Sequence, residues 1–293
     1  MPSGKRAKQQ RRDAATAVRT PPPVRSKGAG GARPRQASPR ALGIAGGVVL
    51  VLVIAVVLGI VLTRGSSNAS GGGFNINDYP QTGSATGPTA LPNAPQANAQ
   101  FNGIPQQGLV LGKPNAPVEM DMFIDVQCPI CQNYEESYMP TIIQNNIRNG
   151  KVQLHLLPWA FIGGKGSQSV SGRLGLIAAS FQNKGFEYGK VLYDNQGTED
   201  TGWLTNSKMA EIASSVNGLD MKRWWTDTNG SEAKSIASEV DTQATKRKVG
   251  GTPTVFVGCA GRKLHNVMPP GPYSPDLQTT QRALNAAIAS CAK

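Results

Sequence analysis

The sequence predicts an α/β domain, built on a parallel strand–helix–strand unit and carrying a long helical insertion, behind a disordered tail, one transmembrane helix and a flexible linker. Three observations predict it. Residues 118–124 (Val-Glu-Met-Asp-Met-Phe-Ile) and 151–157 (Lys-Val-Gln-Leu-His-Leu-Leu) have strand character, and between them Tyr134, Tyr138, Ile142, Ile143 and Ile147 recur at helical spacing. A strand–helix–strand order implies a parallel pair joined by a right-handed crossover. From 167 to 248 the periodicity is helical, and strand character resumes only at 254–257.

Residues 1–40 hold 11 Lys/Arg against the single acid Asp13, a local charge of +10 out of a total of +12. With almost no large apolar side chains, this stretch cannot offset its own ordering entropy, and it is expected to be a disordered cytoplasmic tail. The rest of the chain carries only +2. That excludes a basic domain that would hold nucleic acid through its phosphates.

Residues 41–62 are 22 in a row without a charge. As a helix they would span roughly 33 Å, against a hydrocarbon core of roughly 30 Å. A cleaved signal peptide has a shorter apolar region, so 41–63 is expected to be an uncleaved signal-anchor, single-pass, with the basic flank in the cytoplasm and the remainder extracytoplasmic. Residues 64–106, rich in Gly, Ser, Asn, Ala, Gln and Pro, read as a flexible linker with a reach of about 35 Å.

The folded domain is expected over 107–293. Residues 109–111 read as a short first strand, 118–124 as a central strand, 128–148 as the first helix and 151–157 as the next strand. In the helical insertion Asn206 and Asp220 are expected N-caps and Gly218 a stop. Trp203, Trp224 and Trp225 read as core anchors. A hairpin from 254–257 towards 262–264 and a last helix over 275–292 complete the chain.

The chemistry is concentrated at Cys128-Pro129-Ile130-Cys131, where the apolar strand ends and the helical pattern starts. A free thiol is mostly protonated at neutral pH, and only the thiolate attacks disulfides. At a helix N-terminus the unpaired backbone N–H groups and the positive end of the dipole stabilise that anion. Pro129 is compatible with the first turn because its missing N–H would have had no helical partner. Cys131, one turn in, is expected to be the more buried, pairing thiol. Zinc is the rival reading, but Cys259 and Cys291 stand 32 residues apart with only His155 and His265 besides, so no second ligand pair has matching spacing and no metal is expected. Asp125 reads as a capping or loop residue close to the site, and both histidines as ordinary strand and loop residues.

The strand Asp-x-x-Cys-Pro-x-Cys-helix, a long helical insert, then Val-Gly-Gly-Thr-Pro-Thr-Val-Phe-Val at 249–257 resemble a DsbA-like thiol–disulfide oxidoreductase of the thioredoxin superfamily, over about residues 108–293. The resemblance implies a thioredoxin fold with an inserted helical domain. It implies that Pro253 is cis and faces Cys128, and that the Thr252 backbone pairs with an extended client by strand addition. It also implies that disulfides pass to exported proteins by exchange through Cys128–Cys131, without a cofactor, and that a quinone-linked membrane partner, DsbB-like or a vitamin K epoxide reductase homologue, re-oxidises the pair. With Cys259 after the strand and Cys291 ending the last helix, a structural disulfide is expected between them.

Two departures from the family pattern stand out. Where thioredoxins and many relatives have a buried acid six residues before the first cysteine, this chain has Met122, with Asp121 one residue away and on the other strand face. The dipeptide Pro129-Ile130 also lacks the histidine of the best-known DsbA. A weaker oxidant is therefore expected. A reductase or isomerase of the same fold, or a tethered thioredoxin-fold binding module that never turns over, are the alternatives.

Overall fold

In the computed structural model, residues 73–164, 166–268 and 275–291 are described. The expected tail, transmembrane helix and first part of the linker lie outside them. Among the described residues no helix is long and apolar enough to cross a membrane.

A six-stranded sheet organises the domain. Its strands are β1 (Gln106–Gln107), β2 (Val110–Leu111), β3 (Val118–Ile124), β4 (Val152–Pro158), β5 (Thr254–Cys259) and β6 (His265–Asn266), in the order β1-β2-β4-β3-β5-β6. Strands β3 and β4 are parallel, with Val118 opposite Val152 and Ile124 opposite Pro158, as the strand–helix–strand order requires. Strand β5 runs antiparallel to β3. The first edge, expected as a single short strand, is a hairpin, since β1 precedes β2 across Gly108 at φ 57°. At the other edge the return strand falls at 265–266 rather than 262–264.

Two faces of β3 have different partners. Met120, Met122 and Ile124 join Cys131, Tyr134 and Leu284 in the main core, whereas Phe123 joins Val240, Ala244, Leu157 and Phe256. The alternation expected of a strand therefore puts Asp121 on the face away from the cysteines. There its Oδ1 lies 3.0 Å from His155 Nδ1, and its Oδ2 accepts from Arg247 Nη1 at 2.5 Å.

The helix after the cysteines is not continuous over 128–148. It forms α2 (Pro129–Ser137), then α3 (Met139–Ile142), then a π-helical turn (Ile143–Ile147), the short helix α1 (Ala94–Ala99) preceding them in the chain. Pro140 explains the break, because its missing N–H and its ring cannot continue the turn before it. The insertion holds five helices: α4 (Gln168–Ser180), α5 (Gly185–Asp194), α6 (Asn206–Ser214), α7 (Met221–Asn229) and α8 (Ser231–Lys246). Thr205 rather than Asn206 caps α6, its side chain accepting from the Lys208 N–H, while Asp220 caps α7 as expected. Trp224 is fully buried and its indole N–H donates to the Gly175 carbonyl at 2.8 Å. Trp203 and Trp225 pack at the rim of the same core. Helix α9 (Leu277–Cys291) closes the sheet, and Cys291 is disulfide-bonded to Cys259, so the expected bridge is present.

The linker expectation needs correction: from residue 73 on, the segment assigned to a flexible linker is packed. Phe74 stacks against Trp225 with ring centroids 4.5 Å apart, and Ala85, Ala94, Ala97, Phe101 and Ile104 are buried. Its polar backbone is paired as well. Asn98 donates to Ser215 O at 3.0 Å and accepts from Asn217 N–H at 2.8 Å, and the Leu91 N–H donates to Ser215 Oγ at 2.9 Å. The segment is thus a strap across the insertion.

The Asp121 cluster has a consequence for stability. Both ring nitrogens of His155 face oxygens, Asp121 Oδ1 at 3.0 Å and Gln153 Oε1 at 3.2 Å, and the hydrogen bond to Asp121 holds the imidazole pKa above its ordinary value. A raised pKa in the folded state means stabilisation that is complete below about 6.5 and fades as pH rises through the folded value. Wild type should therefore lose its thermal advantage over His155→Gln on going from pH 6 to pH 9. An advantage that is constant over this range would contradict the pairing.

Candidate active site

Strands β3, β4 and β5 end or begin at one end of the sheet, and three loops meet there: 125–128, 159–164 and 249–253. Cys128 is the N-cap of α2, with Pro129 in its first turn. Its sulfur therefore faces the free N–H groups of Ile130 and Cys131. Cys128 retains 5% exposure and Cys131 none, the asymmetry expected from their places on the helix. Both are free thiols in this structure.

The Thr252–Pro253 bond is cis, and Cys128 Sγ lies 3.3 Å from the Thr252 carbonyl oxygen. Sequence reasoning paired these two motifs, 124 residues apart, and the fold brings them into contact. In the thiol state Sγ–H donates to that carbonyl. The Thr252 hydroxyl, buried without another hydrogen-bond partner, is the group that can donate to sulfur once the proton has left.

Electrostatics separate the two thiols. The Cys131 thiol donating to Cys128, with help from Thr252 and the N–H groups of Cys131 and Ile130, lowers the Cys128 pKa to about 6 against the cost of burial. Burial and the neighbouring Cys128 sulfur push Cys131 well above its ordinary value. At pH 7 the site therefore holds one thiolate and one thiol, and the thiolate is at the less deeply buried position. Removing the hydroxyl in Thr252→Val should raise the Cys128 midpoint by roughly one unit, the worth of a hydrogen bond to a charged group. Thiolate absorbance against pH reads it directly, and an unchanged midpoint would remove Thr252 from the account.

Asp125 does more than the sequence suggests. It is buried, and its carboxylate accepts from the N–H groups of Gln127, Phe161 and Ile162 at 2.8, 2.7 and 2.8 Å and from the Ser169 hydroxyl at 2.7 Å. Its carbonyl accepts from the Cys128 N–H at 3.0 Å and the Tyr193 hydroxyl at 3.0 Å. One residue thus joins the cysteine turn, the 159–164 loop and the first and second helices of the insertion. An aspartate three residues before a cysteine signals a cap in sequence, but its distant donors have no sequence signature.

Met122 lies in the core beneath α2, so the site has no carboxylate at the family's usual position. The buried acid on the helix itself is Glu135, one turn beyond Cys131, whose pKa burial lifts to about 7 while Lys190 opposes that rise. No group of three or more His, Cys, Asp or Glu that could hold a metal occurs among the described residues.

A thioredoxin family model matches residues 105–270, which contain both cysteines, the insertion and the cis-proline. This chain belongs to the thioredoxin family. Its fold, with a helical insertion in the thioredoxin sheet, is like that of DsbA. A probable disulfide bond formation protein D of Bacillus cereus is 28% identical over 163 residues, covering 55% of this chain and 74% of the relative. The disulfide bond formation protein D of Bacillus subtilis is 24% identical over 151 residues, covering 50% and 66%. Among solved structures, oxidised BdbD from Bacillus subtilis aligns with a TM-score of 0.53 and 19% identity over 64% of this chain and 97% of that one. Chlamydia trachomatis DsbA gives 0.52 and 18%, over 63% and 93%. At these identities the structural likeness speaks for the fold: a thioredoxin sheet interrupted by a helical insertion.

Proposed function

We propose that this DsbA-like thiol–disulfide oxidoreductase introduces disulfides into exported proteins outside the cytoplasmic membrane, with Cys128 and Cys131 as catalytic residues and Thr252 and Pro253 as the client-binding edge. The observation that carries the reading is the divided thiol pair: a Cys128 pKa of about 6 at the helix start, facing Thr252, with Cys131 buried and protonated behind it.

The exchange proceeds in two displacements. A client thiolate attacks Cys128 of the oxidised pair, the Cys128–Cys131 bond breaks, and Cys131 departs and takes up a proton. A second client thiolate then attacks the client sulfur of the mixed disulfide and expels Cys128 as a thiolate. The client loses two electrons and the enzyme pair gains them. A low pKa makes Cys128 a good leaving group in that second step, which favours net oxidation of clients. The names of the Bacillus relatives support the same direction.

Ile130 and Phe161, 49% and 48% exposed, are large apolar side chains open to solvent, one in the dipeptide and one in the loop tied to Asp125. They suit unfolded clients, with strand addition at Thr252 supplying sequence-tolerant binding. The location rests on residues 1–63: a basic cytoplasmic tail and a signal-anchor. A quinone-linked membrane partner would re-oxidise Cys128–Cys131. With isoleucine in the dipeptide the thiolate has one donor fewer than in the best-known DsbA, so the protein is a weaker oxidant than that enzyme.

Trapping tests the reading. Cys131→Ala cannot resolve a mixed disulfide at Cys128, so full-length protein isolated from cells should carry exported clients disulfide-linked to Cys128. Finding only cytoplasmic proteins, or no adducts, would overturn it.

A further inference from the structure

The Asp121 cluster lies outside the thiol site, on the opposite face of β3, yet it holds the root of the loop that carries Thr252. We propose that the Asp121–Arg247 ion pair is a positioning element: it fixes the end of α8 on the sheet and thereby sets where Thr252 and Pro253 stand against Cys128. The inference rests on the reading that this loop faces the reactive thiol and the client.

Arg247 is the C-cap of α8, five residues before Thr252. Its guanidinium is held from two directions. Nη1 donates to Asp121 Oδ2 at 2.5 Å, and the group lies 3.8 Å over the Phe256 ring and 5.3 Å from that of Phe123. Phe256 is the register partner of Asp121 across β3 and β5, so carboxylate and ring together define one spot on the sheet. A planar guanidinium between a ring face and a carboxylate has little freedom to slide.

The loop that follows takes its position from that end. The Lys248 N–H donates to Thr245 O at 3.1 Å and the Val249 N–H to Ala244 O at 2.9 Å, both within the last turn of α8. Lys248 turns the chain through φ 54°, and Gly250 and Gly251 have open space around them. At the far side, Thr254 Oγ1 donates to Gly251 O at 2.7 Å, and Cys128 Sγ reaches Thr252 O. The apolar contacts of α8 with the sheet come from Val240 and Ala244, small side chains that resist sliding weakly. Farther back, α8 is tied to the insertion by Asp241, which accepts from Arg173 at 2.6 and 2.9 Å. The helix is thus pinned to the insertion by Asp241 and to the sheet by Arg247, and only the second pin adjoins the loop.

Thiolate titration and steady-state oxidation of a reduced client, run on the full-length protein, distinguish positioning from mere stabilisation. In Arg247→Gln and Asp121→Asn the Cys128 midpoint should rise by roughly half a unit, as the Thr252 hydroxyl, the group that can donate to the thiolate, shifts away from the sulfur. KM for the client should rise roughly five- to tenfold with kcat changing less. Arg247→Lys should recover part of both, and is the variant to measure if the others do not fold. Asp241→Asn loosens the other pin and should lower stability while leaving the midpoint in place. An unmoved midpoint and KM in the Arg247 and Asp121 variants, or an equal shift in Asp241→Asn, would overturn the proposal. The titration needs no client, so it fails or succeeds independently of the direction of exchange.

Discussion

Replacing Cys128 with serine should abolish disulfide transfer, a loss on the order of 10⁴-fold or more, the scale seen when a covalent nucleophile is removed. Serine is nearly isosteric, so the fold should persist, but its hydroxyl stays protonated and forms no disulfide. The expected contrast lies within the pair. Cys131→Ser leaves the Cys128 thiolate at the outer, less deeply buried position, and that thiolate still attacks a client disulfide but cannot be released by its neighbour. Cys128→Ser should therefore show neither transfer nor adducts, while Cys131→Ser shows adducts without turnover. Gel mobility after alkylation separates the two. Equal residual transfer in both would mean that the pair acts as a scaffold, the binding-module alternative. The asymmetry on which this rests is physical: donors at a helix start and a partner thiol lower one pKa, and complete burial raises the other.

Removing the second cysteine pair should have the largest effect on stability. Cys259 and Cys291, 32 residues apart, join the end of β5 to the last turn of α9. In the chain-entropy model a loop of that length contributes roughly 3–4 kcal/mol. For a domain of about 220 residues this lowers the unfolding midpoint by on the order of 10 °C. Helix α9 is otherwise held by the buried Leu284 and Thr280, whose hydroxyl is 2.9 Å from that of Tyr134, and by Leu277, Ala283, Ala287 and Ile288, which are only partly buried. Cys259→Ser/Cys291→Ser should therefore unfold earlier, yet transfer disulfides at a near-normal rate well below its midpoint. Equal melting of the variant and wild type would show that the bridge contributes nothing. A loss of exchange at low temperature would show that the bridge belongs to the chemistry.

These elements differ in how far the sequence discloses them. Cys128-Pro129-Ile130-Cys131 and Thr252-Pro253 are legible because each is local: a thiol at a strand–helix junction, a proline at a strand start. Their meeting is expected only from the resemblance to DsbA-like proteins: the order of elements implies the parallel β3–β4 pair, whereas the antiparallel return of β5 that brings Thr252 to Cys128 is seen in the structure. The helical insertion is legible from its periodicity. The strap over 73–106 is not. It buries mostly alanine, with isolated large residues such as Phe101 and the half-buried Phe74, and pairs its backbone with groups near Ser215 and Asn217. Such contacts leave no period in the chain, and Gly/Asn/Pro composition imitates a linker. Gly83 illustrates the point: any side chain there would collide with the Val216 carbonyl, so a residue that looks like linker composition is a close approach.

Charged partners are the other illegible class. That Asp121 lies away from Cys131 follows from strand alternation, but its partners His155 and Arg247 are 34 and 126 residues away. Likewise the donors to Asp125 come from residues 161, 162 and 169, and only its backbone neighbour Gln127 is local.

The central claim is that the Cys128–Cys131 pair passes its disulfide to clients. The most direct measurement mixes the oxidised domain with a reduced, unfolded client and quantifies protein thiols by mass spectrometry after acid quench. One client disulfide should appear for each Cys128–Cys131 disulfide lost, with Cys259–Cys291 intact throughout. Persistence of the Cys128–Cys131 disulfide in the presence of excess client thiols would contradict the account.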